Sequence, residues 1–261
     1  MTAKTVEKGL MLLEVLARSP QPRALADLVR ELHMPKSNVF RLLNALATHR
    51  YIRRRPQDSR YELTLKLWEL GNQASSRASI TDAARPALDA LAARIGESAQ
   101  LAVFDGDESV FIDKADGAHP VRGFTRIGSR APAYCCATGK AQLAYQPSEV
   151  VRRVASSMQR QTGETLGTAR ALERELAGVR DAGYAVNRGE WYEDVWGVAA
   201  PIRDRDGRVC ASIGVWGPKQ RLARRIDGAA RAALIASSEV SAALGFRPAL
   251  PEPAKRRRLP S

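Results

Sequence analysis

The apolar positions of the first 63 residues fall into three helical patterns and then two short strands. Val6, Leu10, Leu13 and Ala17 recur at helical spacing and predict a first helix over residues 5–18, ended by Pro20 and Pro22. Leu25, Leu28, Val29 and Leu32 mark one face of a second, short helix. The turn His33-Met34-Pro35 follows, and Pro35, which has no N–H to lose, suits the first turn of a third helix. There Val39, Leu42, Leu43 and Leu46 form a buried stripe at i, i+3, i+4 and i+7. Strands over 51–55 and 60–64 flank the turn Pro56-Gln57-Asp58-Ser59.

Beyond this point Leu67, Leu70 and Ala74 predict a connecting helix over 65–78, and a further helix over 80–95 carries Pro86 in its first two turns. Alternating apolar residues predict strands over 100–104, 109–114 and 121–125. Helices are expected over 138–145, 147–155 and 169–182, then strands over 183–188, 195–203 and 209–216. Asp204-Arg205-Asp206-Gly207 closes the last two strands as a hairpin, and a final helix spans 222–244. The chain therefore reads as α+β. Residues 1–64 form a winged helix-turn-helix of three helices plus a β-hairpin wing, 65–79 a connector helix, and 80–247 a larger domain. Residues 248–261, proline-rich and then basic at Lys255-Arg256-Arg257-Arg258, read as a disordered tail that either adds nonspecific attraction to DNA or has no role.

Charge sharpens this division. The formal net charge is +13, and residues 1–66 hold 13 Lys and Arg against 6 Asp and Glu, while 67–250 hold 24 against 21. Such an excess at one end suits a polyanion-binding domain, or, taken alone, a solvated basic face. No apolar run reaches the roughly 18 residues of a membrane span, and no secretion signal is visible, so a cytoplasmic protein is expected. Three cysteines, Cys135, Cys136 and Cys210, make no disulfide framework. His33, His49 and His119 lack ligand spacing, so no metal site is expected.

The third helix carries the candidate chemistry. With its apolar stripe turned inward, it offers Lys36, Ser37, Asn38, Phe40, Arg41 and Asn44 as DNA contacts. Basic side chains donate to guanine or phosphate, Asn pairs with adenine, and an aromatic edge meets a thymine methyl. Arg53, Arg54, Arg55 and Arg60 flank the hairpin tip, in reach of phosphates or a minor groove. The alternative is an arginine-rich wing that grips an acidic partner.

The chain resembles the IclR-type transcriptional regulators over nearly its whole length. The matching residues in the first domain are Thr5-Val6-Glu7-Lys8-Gly9-Leu10, Leu25-Ala26-Asp27-Leu28 and the run from Met34-Pro35-Lys36-Ser37 to Arg41-Leu42-Leu43. In the second they are Gly96-Glu97-Ser98, Arg126-Ile127-Gly128-Ser129-Arg130-Ala131-Pro132, Ala137-Thr138-Gly139-Lys140-Ala141, Asp181-Ala182-Gly183-Tyr184-Ala185 and Ala199-Ala200-Pro201-Ile202. The resemblance implies a GAF-like effector domain with a curved antiparallel sheet flanked by helices. It also implies homodimers that often pair into tetramers, pseudo-palindromic double-stranded operator DNA, and a small-molecule effector in place of any cofactor.

By the same resemblance the effector lies between the sheet and the loop before Thr138. The candidates are Tyr134, Cys136, Ala137, Thr138, Gly139, Asn187, Trp191, Gly197, Gly214 and Trp216. A helix start after small residues is receptive to a carboxylate, although Gly139 and Ala141 could equally just permit close packing. The glyoxylate-sensing pattern has an acidic residue at Asn187, a thiol at Gly197 and hydroxyls at Gly214 and Trp216; this chain departs from it at all four. Two glycines beside a tryptophan suit an aromatic or cyclic organic anion, unless they only ease strand curvature. Strand alternation puts Trp196 and Gly197 on opposite faces. Cys135 and Cys136 are either a redox pair at a helix start or inert packing residues.

No nucleophile elbow, phosphate loop or zinc motif appears, so no catalytic residues are assigned. Glu190, Glu193 and Asp194 are the best acidic constellation for a hydrolase or lyase. A ligand-free architectural DNA binder is the other alternative, disfavoured by the size and near-neutral charge of residues 67–250.

Overall fold

The computed structural model describes residues 3–74, 78–119 and 125–247. The expected strand over 121–125, but for Thr125, lies outside them, as do residues 75–77 of the connector and the tail 248–261. The chain divides into two compact units at residue 78.

The first unit contains α1 (Ala3–Arg18), α2 (Leu25–Leu32), α3 (Lys36–Thr48), β1 (Ile52–Arg54), β2 (Tyr61–Leu63) and α4 (Lys66–Ala74). His33 takes a left-handed conformation to end α2, and Pro35 caps α3, which makes the turn between them tight. Leu12 and Leu16 of α1, Leu28 and Leu32 of α2, and Val39, Leu42 and Leu43 of α3 close on Ile52 and Tyr61 of the wing. The residues whose spacing marks α1 are not those it buries deepest: Val6 and Leu10 are 57% and 56% exposed, and Leu12 and Leu16 are buried. That helix is apolar on two sides, so periodicity alone did not choose between them. Arg23 exchanges backbone hydrogen bonds with Tyr61, adding a third, one-residue rung to the β1–β2 hairpin.

The second unit holds one antiparallel sheet in the order β5-β4-β3-β8-β7-β6. Its strands are β3 (Ser98–Asp105), β4 (Glu108–Ala115), β5 (Arg130–Pro132), β6 (Ala185–Arg188), β7 (Val195–Arg203) and β8 (Val209–Pro218). Shifts in register at Leu101/Ala102 and Ile202/Arg203 mark bulges, which bend and twist a sheet. One face carries Leu101, Val198, Ile213 and Val215 against α5 (Ala78–Ile95) and α10 (Ile226–Ala243). The other face takes α6 (Ala137–Leu143), backed by α7 (Ser148–Ser157) and α8 (Ala169–Ala182). The expected single helix over 222–244 is instead α9 (Lys219–Leu222), a 3-10 turn at Ala223–Arg225, and then α10. Strand β5 was not anticipated, since three residues around a proline carry no alternation. Every residue of α6 is buried, including Lys140 and Gln142. No described helix is long and apolar enough to cross a membrane.

Candidate functional site

In the first unit, burying Val39, Leu42 and Leu43 turns the opposite side of α3 to solvent. Lys36, Ser37, Phe40, Arg41 and Asn44 are exposed there, and Asn38 is half-buried at the margin. Phe40 is 45% exposed, an unfavourable place for a phenyl ring unless something covers it. Lys36 and Arg41 have no carboxylate partner among the described residues, so their charge is available to an outside ligand.

The wing arginines differ from one another. Arg53 pairs with Glu62 directly across the hairpin at 2.6 Å. Arg55 and Arg60 share Asp58 at 3.7 and 3.8 Å. Asp58 also accepts from the Arg60 backbone N–H, so it holds the tip in shape. Arg54 touches only the Ser59 carbonyl, at 3.4 Å, and its charge is unopposed among the described residues. The sequence reading missed Arg50, exposed in a left-handed conformation just after α3 and likewise unpaired among the described residues. It falls between the third helix and the first strand, where the sequence pattern assigns no element.

In the second unit, a cleft of about 430 Å³ opens beside the start of α6. Its lining includes six of the ten sequence candidates: Cys136, Ala137, Asn187, Trp191, Gly197 and Trp216. Phe111 and Tyr192 extend the apolar wall, and Gln100, Arg126 and Arg130 add polar groups that the sequence reading did not name. Trp191 and Tyr192 pack ring on ring, 4.6 Å between centroids. The indole N–H of Trp216 is buried and has no partner among the described residues.

Four candidates lie off the cleft, each for a packing reason. Tyr134 turns its hydroxyl away to donate to the Gln159 carbonyl at 2.9 Å. The Thr138 hydroxyl meets that of Ser109 at 2.9 Å. A Cβ on Gly139 would fall into the Ala133 backbone, and one on Gly214 into Val198 and Ala199. These two glycines permit close approach and do not open space for a ligand. Gly197 does line the cleft, while Trp196 packs against the α5–α10 side of the sheet.

The start of α6 is partly occupied by the protein itself. Cys136 caps it, its sulfur accepting from the Gly139 N–H at 3.3 Å. Burial pushes the Cys135 and Cys136 thiols well above their ordinary range, and Cys210 up to about 11. Burial thus works against the thiolate at all three, opposite to the lowering by a helix start on which the redox reading rests.

Behind the cleft lies a buried ion cluster. Lys140, with no exposed surface, donates to Glu190 at 2.7 and 2.8 Å and to Glu175 at 2.8 Å. Burial raises the Glu190 pKa, and the Lys140 charge opposes that shift. Thr162 and Thr165 hydroxyls donate to the Glu190 carbonyl, and Asn187 holds its backbone N–H. Glu190 is thus a strut between α6 and the loop that carries Trp191. Glu193 and Asp194 are exposed beside it, so the three acids do not converge on a reacting centre. Among the described residues no group of three His, Cys, Asp or Glu could hold a metal ion.

Comparison with known proteins adds the following. Residues 5–56 match the family model of the IclR helix-turn-helix domain, and 72–242 that of the bacterial transcriptional regulator IclR C-terminal domain. The chain is 31% identical over 217 residues to the probable transcriptional regulator SauR of Cupriavidus necator, covering 82% of this chain and 86% of that one. The crystal structure of the Thermotoga maritima IclR has a TM-score of 0.78 at 27% identity, covering 94% of this chain and all of the other (100%). An IclR homologue from Microbacterium hydrocarbonoxydans, complexed with 4-hydroxybenzoate, has a TM-score of 0.81 at 24% identity. That alignment covers 92% of this chain and 98% of the other, and at this identity it speaks for the fold alone.

Proposed function

Since the chain belongs to the IclR family of bacterial transcriptional regulators, we propose that the outer face of α3 reads operator DNA and that a small organic acid in the cleft sets the affinity. Residues 1–64 are the DNA-binding part, 65–79 the connector that couples it to the ligand, and 80–247 the effector-binding and oligomerisation part. Reading comes from Lys36, Ser37, Asn38, Phe40, Arg41 and Asn44. Arg54, with Arg50, Arg53, Arg55 and Arg60 around it, grips phosphate. The observation that carries this is the exposed side of α3, where unpaired Lys36 and Arg41 flank an exposed Phe40. A helix start rich in Glu or Asp would repel a duplex; this one has neither.

The protein acts as a cytoplasmic homo-oligomer with no catalytic role and no cofactor. The exposed Val6 and Leu10 of α1 and Trp68 of α4, 65% exposed, suit contact with a second copy. A two-fold protein implies a pseudo-palindromic operator. In the cleft, Arg126 is exposed and has no carboxylate partner among the described residues, whereas Arg130 is held by Asp105 and Glu108 at 2.6 and 3.1 Å. One free guanidinium among aromatic walls favours a ring-bearing anion over a two- or three-carbon acid. The 4-hydroxybenzoate in the Microbacterium homologue is of that class. Calorimetric titration of the full chain tests it: an aromatic carboxylate is expected to bind. Binding of glyoxylate or pyruvate alone contradicts the assignment.

A further inference from the structure

Asn187 sits at the edge of the cleft on β6, and its surroundings fix which way its amide points. Oδ1 accepts from the backbone N–H of Gly189 at 3.1 Å and of Glu190 at 2.8 Å. A backbone N–H only donates, so the carbonyl end must face the loop and Nδ2 must face away from it. Asn187 is only 5% exposed, yet Nδ2 has no partner among the described residues. Gln100 on β3 lines the other end, but its partner there is the Thr125 hydroxyl, which can donate or accept and so does not fix the amide as the backbone fixes Asn187. Gln100 is 7% exposed, and its amide lies 3.1 Å from that hydroxyl. Arg126, next to Thr125 in the chain, adds a charged donor to that end.

The register separates the two ends. Asn187 pairs with Gly197, Gly197 with Trp216, and Trp216 with Ser98, two residues before Gln100. Three strand intervals amount to about 14 Å along the sheet, with Gly197 and Trp216 occupying the space between. Among the described residues no carboxylate lines the cleft. At one end Asn187 Nδ2, turned from the loop, meets no acceptor among the described residues, and at the other Arg126 offers a guanidinium with no carboxylate partner among them.

Resting on the reading of this cleft as the effector site, we infer that the ligand is a flat ring acid with acceptors at two opposed positions. One carboxylate faces Arg126 and Gln100. A second carboxylate or carbonyl oxygen faces Asn187 Nδ2. Asn187 therefore selects for the far group, and a ligand presenting a donor there is rejected.

The test is calorimetric titration of the full-length protein with benzoate, benzene-1,4-dicarboxylate, benzene-1,2-dicarboxylate and 4-aminobenzoate. The 1,4-dicarboxylate is expected to bind about tenfold or more tightly than the other three. Asn187→Asp keeps Oδ1 for the loop but replaces the NH2 with an oxygen. It is expected to weaken the 1,4-dicarboxylate by about tenfold and to change benzoate by less than about threefold, with the melting temperature followed as a check on folding. The wild-type series decides the matter even if that variant is unstable. Equal binding of benzoate and the 1,4-dicarboxylate would overturn the two-ended assignment while leaving the cleft as an anion site. If no ring acid binds, the cleft reading falls, and this inference with it.

Discussion

Arg41 and Arg54 are both exposed and unopposed among the described residues, yet they occupy different kinds of ground. Arg41 lies on the face of α3 proposed to read DNA, so Arg41→Ala is expected to lose about 1–3 kcal/mol on preferred sequences and to relax discrimination. Arg54 projects from the wing, so Arg54→Ala is expected to weaken all duplexes alike and lower the salt slope by about one. Binding isotherms at several salt concentrations separate the two. In the second unit the decisive residue is Lys140. Lys140→Met would leave buried Glu190 without its cation, and a loss of about 3–5 kcal/mol in urea unfolding is expected. Glu190 also carries a pH signature. Burial raises its carboxyl above the ordinary 4.5, so the folded state holds the proton longer than the unfolded chain. Stability from this group is full below that ordinary value and falls as pH rises through the raised one. Glu190→Gln is expected to flatten that slope, as urea titrations between pH 4 and 8 would reveal. None of this was legible in the sequence. Lys140 stood inside a motif read for its small residues, and its partners lie 35 and 50 positions away.

At the scale of elements, periodicity located nearly every helix and strand, and it failed where two principles competed. In α1 the apolar residues cover more than one face, so the spacing predicts a helix without choosing its inner side. In α6 the small residues leave two readings open, an anion site or close packing, and Gly139 serves packing, against the Ala133 backbone. Gly139→Ala is therefore expected to destabilise by about 1–3 kcal/mol, since backbone cannot yield as a side-chain tip can; urea midpoints check it. At Asn187, Gly197 and Trp216 the lining of the cleft was legible through the family resemblance, while Gly214, carried over with them, packs against Val198 and Ala199. Gln100 and Arg126 were not legible: nothing local ties β3 to β6, three strands away in a sheet whose order depends on β3–β8 pairing, and Arg126 lies outside the strands.

For the whole molecule the uneven charge and the two compact units tell one story: a basic reader joined to a nearly neutral ligand-binding part. Coupling between such parts is typically about 1–3 kcal/mol, so an effector is expected to change operator affinity roughly 5- to 150-fold; anisotropy titrations with and without ligand measure it. Everything depends, however, on α3 reading sequence. The most direct measurement is selection of duplexes from a random pool by the full-length protein, followed by affinities for the selected and scrambled duplexes. The selected sites are expected to converge on two related half-sites, bound several kcal/mol more tightly than scrambled DNA, with that ratio collapsing in Arg41→Ala. Equal affinity for selected and scrambled duplexes, or a ratio untouched by Arg41→Ala, would contradict it.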